Sequence, residues 1–166
     1  MARRVSDRYR WLLPVEPAAV INILQDVEAL PTLTKPYLPA WAIIDIETVV
    51  TRRDADGLPA EVRTTTSAFG VRDRMTSHYH WTDSGCRWRI TSSRLLKSAG
   101  CDLAVEPAVA GSLLTVDTWA EFRALLTPSP VLRRLEKLQR IGFENLHEII
   151  TEEAHRRTVD DESSSQ

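Results

Sequence analysis

Cysteine, glycine and net charge are scarce in this chain, and each scarcity excludes something. Its 166 residues hold two cysteines, Cys86 and Cys101, far apart, with no CxxC and no paired histidine beside them. Neither a disulfide framework nor a zinc site is suggested, and the reading expects no metal and no cofactor. The formal net charge is −2, so no global basic field draws the chain to nucleic acid or to an anionic membrane. No apolar run approaches membrane-spanning length, and the opening MARRVSDRYRWLLP is positive without an apolar stretch behind it. The expectation is a soluble, cytoplasmic protein with no stable membrane insertion. Only six glycines are available for turns and close approaches, so each one is informative.

What is present is apolar patterning. Hydrophobic residues make up 43% of the chain, enough for one domain with a core and a cavity. From Pro130 to about Arg156, Val131, Leu132, Leu135, Leu138, Phe143, Leu146, Ile149 and Ile150 fall on one arc of a helical wheel, with Arg133, Lys137, Arg140, Glu144, His147 and Glu148 opposite and Ile141 the apolar misfit. Thr127-Pro128-Ser129-Pro130 marks its start, with Ser129 as N-cap and Pro130 as first helical residue. Thr158–Gln166 is acidic and serine-rich, and is read as a disordered tail behind a domain spanning 1–157.

The rest of the chain has period two. Val5, Tyr9, Trp11 and Leu13 share one face of a first strand, which Pro14 ends; Asp7 sits on that apolar parity. Pro17 opens a short helix to about Gln25 with Val20, Ile21 and Leu24 buried, and a second helical turn is expected around Val27 to Leu33. A proline-punctuated connector follows, through Pro36 and Pro39 to Trp41. Six strands come next. Their inward sets are Ile44, Ile46, Thr48 and Val50; Val62, Thr64, Thr66 and Ala68; Met75, Ser77, Tyr79 and Trp81; Trp88, Ile90, Ser92 and Leu96; Cys101 to Val105; and Leu114, Val116, Thr118, Ala120 and Phe122 in a strand from Ser112 to about Leu125. Turns are expected at Arg53–Gly57, Thr82–Gly85 and Ala99-Gly100, and a loop at Glu106–Gly111. The fold class is α+β: a curved antiparallel sheet of about seven strands around a long C-terminal helix, two short helices filling the gap between strands one and two.

Pro14 after the first strand, the stretch Pro36-Tyr37-Leu38-Pro39-Ala40-Trp41 and the long terminal helix resemble the helix-grip families, the START-like or SRPBCC superfamily, and within it the polyketide cyclase/dehydrase and lipid-transport branch. The likeness spans about Arg3 to Arg156. It implies an internal cavity for a hydrophobic or aromatic small molecule such as a lipid or polyketide. It carries no catalytic signature that this chain matches, so no catalytic residue is assigned.

The candidate cavity lining is Met75, Ser77, Tyr79, Trp81, Trp88, Ile90, Ser92, Arg94, Phe122, Leu135, Gln139 and Gly142. Tyr79, Trp81, Trp88 and Phe122 are its aromatic part, or ordinary core. Arg94 shares the parity of Trp88, Ile90 and Ser92; it either points inward to meet an anion, or a bulge or strand end puts it in water. Gly142 either leaves a shallow helix face for a ligand, with Gln139 offering a hydrogen bond, or lets a strand pack closely. His78 and His80 share a face with Arg74 and Thr76, which reads as solvent rather than as a metal or base site. Trp119, on the charged parity of the last strand, is the one hint of an outer interaction patch. The functional expectation is binding of a small hydrophobic ligand by a monomer or homodimer, with a cyclase-type enzyme and a protein-interaction module as alternatives.

Overall fold

The computed structural model describes residues 3–123, 126 and 128–165. Strand β1 (Arg3–Leu13) leads into helices α1 (Pro17–Gln25) and α2 (Leu30–Thr34) and a 3-10 turn at Lys35–Tyr37. Six strands follow: β2 (Ile44–Arg53), β3 (Pro59–Ala68), β4 (Val71–Thr82), β5 (Gly85–Ser92), β6 (Leu96–Ala108) and β7 (Gly111–Phe122). Helices α3 (Ser129–Glu144) and α4 (Leu146–Ser164) complete the chain. The seven strands form one antiparallel sheet in the order β1-β7-β6-β5-β4-β3-β2, so the first strand closes against the last and the sheet stays open between β1 and β2. This is the α+β helix-grip architecture that the residue pattern predicts.

Alternation explains the layering. Along β7 every second residue from Ser112 to Phe122 is buried, and its partners Leu13, Trp11, Tyr9 and Val5 on β1 continue the concave face. Helix α1 lays Val20, Ile23 and Leu24 on that face, and Ile150 of α4 joins the same cluster with Leu114, Val116, Cys101 and Val105. Helix α4 packs against α1, α2 and β1. Its attachment is also ionic: Glu153, buried, accepts hydrogen bonds from Arg156 and Arg157, and Arg157 reaches on to Asp26 at the end of α1 at 2.8 Å. Helix α3 meets the sheet differently. Leu132 and the flanking Leu135 cluster with Ala99, Ala120 and Phe122 near its start, and the rest of its inner face stands over open space.

Four expectations need correction. The terminal helix is two helices that meet at Asn145, whose backbone leaves helical geometry at φ −93°, ψ 0° and whose side chain donates to the Ile141 carbonyl at 2.7 Å beside its own backbone N–H. Its start lies one residue early: Pro128 holds the N-cap position, and Ser129 caps nothing. The acidic, serine-rich residues 158–164 continue α4 to Ser164 as an exposed end, with Arg156 pairing with Asp160 one turn on. Ala99-Gly100 is not a turn but the middle of β6, and the expected loop from Glu106 shrinks to the tight turn after Ala108. Gly100 is there for a different reason. A Cβ on it would stand 2.7 Å from the Trp119 ring and the Arg89 side chain, so only glycine lets them lie across the strand. The expected end of the last strand at Leu125, the Thr127 that opens the helix breaker, and Gln166 lie outside the described residues.

Candidate functional site

A cavity of about 380 Å³ lies beneath α3. That is near the lower end of the volumes that hold small-molecule ligands, roughly 300–1,000 Å³. Its floor is the β2–β4 half of the sheet, with Ile44, Ile46, Thr66, Ala68, Val71 and Met75; its far wall is Leu95, Leu96 and Phe122. Leu135, Leu138, Gln139, Gly142 and Phe143 of α3 form the roof, and Leu30, Pro31 and Thr34 of α2 with Leu38 close one end. A straight helical rod over a broad curved floor touches it along one line only, and the room to the side of that line is this space.

Five of the sequence-predicted residues line it: Met75, Phe122, Leu135, Gln139 and Gly142. Gly142 faces open room, since a Cβ there would meet only the Thr34 methyl at 3.8 Å. No strand packs on it, which removes the close-packing explanation for a glycine inside a helix. Gln139 has no hydrogen-bond partner for its amide among the described residues, so its donors and acceptor are free toward the cavity.

Ser77, Tyr79, Trp81, Trp88 and Ile90 share the concave face but lie outside this lining. Tyr79 stacks between Trp81 and Trp88, with ring centroids 6.0 and 6.2 Å away, and the Trp81 indole N–H donates to the Pro59 carbonyl at 2.8 Å. Trp81 packs on the α1 side of the core, Trp88 packs against both that cluster and the one at the start of α3, and burial pushes the Tyr79 phenol well above its ordinary value. Burial also pushes the Cys86 thiol up to about 12 and raises Cys101 further, so both stay protonated and unreactive. Ser77 is buried opposite Ile90.

Ser92 and Arg94 are exposed, so Ser92 does not face the cavity and Arg94 takes the alternative in which a bulge and strand end put it in water. Ser77 pairs with Ile90 but Thr76 pairs with Ser92, so one residue is extra on β5 and parity flips there. Ser92 therefore stands with Thr76 on the convex face. The strand then ends, and residues 93–95 turn into β6, which carries Arg94 into solvent. The polar side chain at this edge of the cavity is Asp73, which was legible in principle because it stands two residues before Met75 on the inward parity. It is buried; Ser93 donates its hydroxyl to Oδ2 at 2.6 Å, and the Arg94 N–H donates to Oδ1 at 2.8 Å.

The remaining candidates lie on the convex face. His78 and His80 are exposed, the His78 ring 3.0 Å from the Glu61 carboxylate. The Glu61 pKa is lowered by hydrogen bonds from Thr51 and His78. Trp119 is covered, with the Arg89 guanidinium 4.2 Å from its ring centre, so it makes no open apolar patch.

No family model matches the sequence, and no curated protein does. Solved structures do match the fold. The chain is similar to a START superfamily protein from Mycobacterium smegmatis, with a TM-score of 0.66 at 16% identity over 92% of this chain and 97% of the other. It is similar to the Zhui aromatase/cyclase from a Streptomyces species, with a TM-score of 0.69 at 15% identity over 95% and 96%. A Thermus thermophilus protein gives 0.64 at 21% identity over 93% and 99%. The chain has a START-like, helix-grip fold. Among the described residues no helix is long and apolar enough to cross a membrane.

Proposed function

We propose that this protein binds a small hydrophobic or aromatic molecule between α3 and the sheet, as a carrier or sensor. The observation that carries the reading is an apolar cavity roofed by a glycine that no strand packs on and by an amide with no partner among the described residues. A ligand burying about 200 Å² of apolar surface there gains roughly 5 kcal/mol. Association costs consume a large part of that gain, so a micromolar affinity set by apolar burial is the natural outcome. Gln139 would fix the ligand's orientation. The same space would take a lipid tail, an isoprenoid or a polyketide-like ring system.

Native mass spectrometry of the purified protein, followed by denaturing extraction, tests this. A retained lipid or aromatic supports it. A ligand at a hundred times its Kd adds about 2.7 kcal/mol to stability. For a domain of this size that raises Tm by several degrees, roughly 2–8 °C. No co-purified molecule and no shift across a lipid and polyketide panel contradicts it.

A cyclase-type enzyme is the second reading. Likeness to an aromatase/cyclase favours it, and so does Asp73, the one carboxylate lining the cavity among the described residues. Both Asp73 oxygens already accept protein hydrogen bonds, however, which commits the side chain to holding the turn after β5. Turnover of a polyketide substrate that disappears in Asp73→Asn, with the fold intact, would promote this reading over the first.

A further inference from the structure

The outer flank of α3 carries a second feature that the apolar cavity does not explain. Arg133, Arg134 and Lys137 line a bowl against the Trp41 ring. Lys137 Nζ stands 5.5 Å from the centre of that ring, and the Arg134 guanidinium stands 5.3 Å from the centre of Phe69. Trp41 and Phe69 stack on each other at 6.1 Å. They form the rim between bowl and cavity, since Ala68 and Val71 on either side of the Phe69-Gly70 turn line the cavity, as do Leu135 and Leu138 beside the cations.

Two facts set this bowl apart from an ordinary solvated helix face. Some cations are matched, Arg8 with Asp117, Arg87 and Arg89 with Asp102, Lys97 with Glu121, Arg140 with Asp7, Arg156 and Arg157 with Glu153, and others such as Arg94 stand singly in solvent. Here three unmatched cations share one flank and two of them face rings. Arg133, Arg134 and Lys137 have no carboxylate partner among the described residues, and no acidic side chain lines the bowl. Second, Phe69 is the one described non-glycine residue at positive φ, 53°, followed by Gly70 at 76°. An aromatic side chain takes up that conformation only against backbone strain. What it gains is a ring laid against both Trp41 and Arg134, which fixes the cation at the mouth.

We infer that the ligand is amphipathic and anionic: an apolar body in the cavity and a carboxylate or phosphate at its end, held at the mouth by Arg134 and Lys137 with Arg133 beside them. This rests on the cavity being a binding site and adds the charge of what it binds. Guanidinium and ammonium groups already seated on ring faces offer their N–H donors outward with little further ordering. Three cations in one place, with no counter-charge of their own, select against neutral molecules of the same shape.

The test compares decanoate, decyl phosphate and 1-decanol by displacement of the neutral dye N-phenyl-1-naphthylamine, for the wild type and for R134Q/K137Q, whose altered residues are solvent-exposed. Decanoate and decyl phosphate are expected to bind the wild type roughly tenfold tighter than 1-decanol at low salt, an advantage that shrinks with added salt. The double variant is expected to lose that advantage while binding 1-decanol unchanged. Preference for decanoate over decyl phosphate, or the reverse, tells which head group the bowl fits. Equal affinity for anion and alcohol in the wild type, or equal weakening of both in the variant, overturns the inference and leaves the cavity reading standing. Tight binding to phosphatidylglycerol vesicles with no preference among the free ligands also overturns it, because the cations then read a surface. Failure of all three probes to displace the dye, with no dye binding, sinks the cavity reading itself.

Discussion

Ser93 donates its hydroxyl to Asp73 at 2.6 Å, tying the turn that follows β5 to the inward face of β4 at the cavity's edge. The same serine oxygen accepts the N–H groups of Leu95 and Leu96, and Asp73 takes the Arg94 N–H as well. One buried carboxylate thus organises the whole turn, and the arginine within it is left pointing to water. Asp73→Ala is expected to destabilise the protein by about 2–3 kcal/mol, because it strips the partner from two part-buried donors, the Ser93 hydroxyl and the Arg94 N–H, and frees the turn they hold. Arg94→Ala should stay within about 0.5 kcal/mol. Urea unfolding of the two variants decides it, and a larger loss for Arg94→Ala would reverse the assignment of roles.

Gly142 separates helix stability from cavity volume. Its position has helical geometry and room for a Cβ, which would only touch the Thr34 methyl at 3.8 Å. Gly142→Ala should stabilise the protein by up to about 1 kcal/mol, since alanine restricts the unfolded chain and favours the helix. Gly142→Leu should fold but place its side chain in the cavity, and dye binding should fall sharply. A well-folded Gly142→Leu that binds the dye like the wild type would show that the cavity is not where the dye goes.

Glu153 carries an acid-dependent part of the stability. Hydrogen bonds from Arg156 and then Arg157 hold its carboxyl down to about 2, from an ordinary 4.5, against the opposing effect of burial. The folded state therefore favours the ionised form. Its contribution is fully present above about pH 4.5 and is lost as pH falls toward 2. Allowing for the exposure of Arg156, that contribution is on the order of 2 kcal/mol. Glu153→Gln should be less stable than the wild type by about that amount at neutral pH, and the gap should close between pH 5 and pH 2 in urea titrations read at successive pH values. A gap independent of pH would mean that packing, not charge, holds α4 to α1.

The fold was readable because its main signals are local and periodic. The inward sets of β2, β3, β4 and β7 and the buried face of α1 follow from alternation or helical spacing alone. Parity fails where the ladder slips. The extra residue on β5 beside Thr76 and the shift between Leu96 and Ser98 are set by pairing with neighbouring strands, which no single strand encodes. That is why parity alone turns Ser92 inward, leaves Arg94 with two readings, and makes Gly100 look like a turn. The α3 side of the site was legible through Leu135, Gln139 and Gly142, because an interior glycine in an amphipathic helix asks for an explanation. The α2 side, with Leu30, Pro31 and Thr34, was not, since a five-residue helix has too few turns to show a face. Of the four aromatics on the concave face, Phe122 lines the space beneath α3, while Tyr79, Trp81 and Trp88 stand in the other half of the sheet. Which half of a concave sheet is filled depends on where α1 and Ile150 pack, and that is tertiary.

The most direct test of a ligand space beneath α3 is a methyl-labelled NMR titration with 1-decanol. Shifts should concentrate at Ile44, Ile46, Val71, Leu135 and Leu138, while Val20, Val116 and Ile150 in the packed core stay in place. Saturable movement confined to the first group is the predicted result. No saturable shift at those methyls, or shifts that spread evenly through the core, would contradict it.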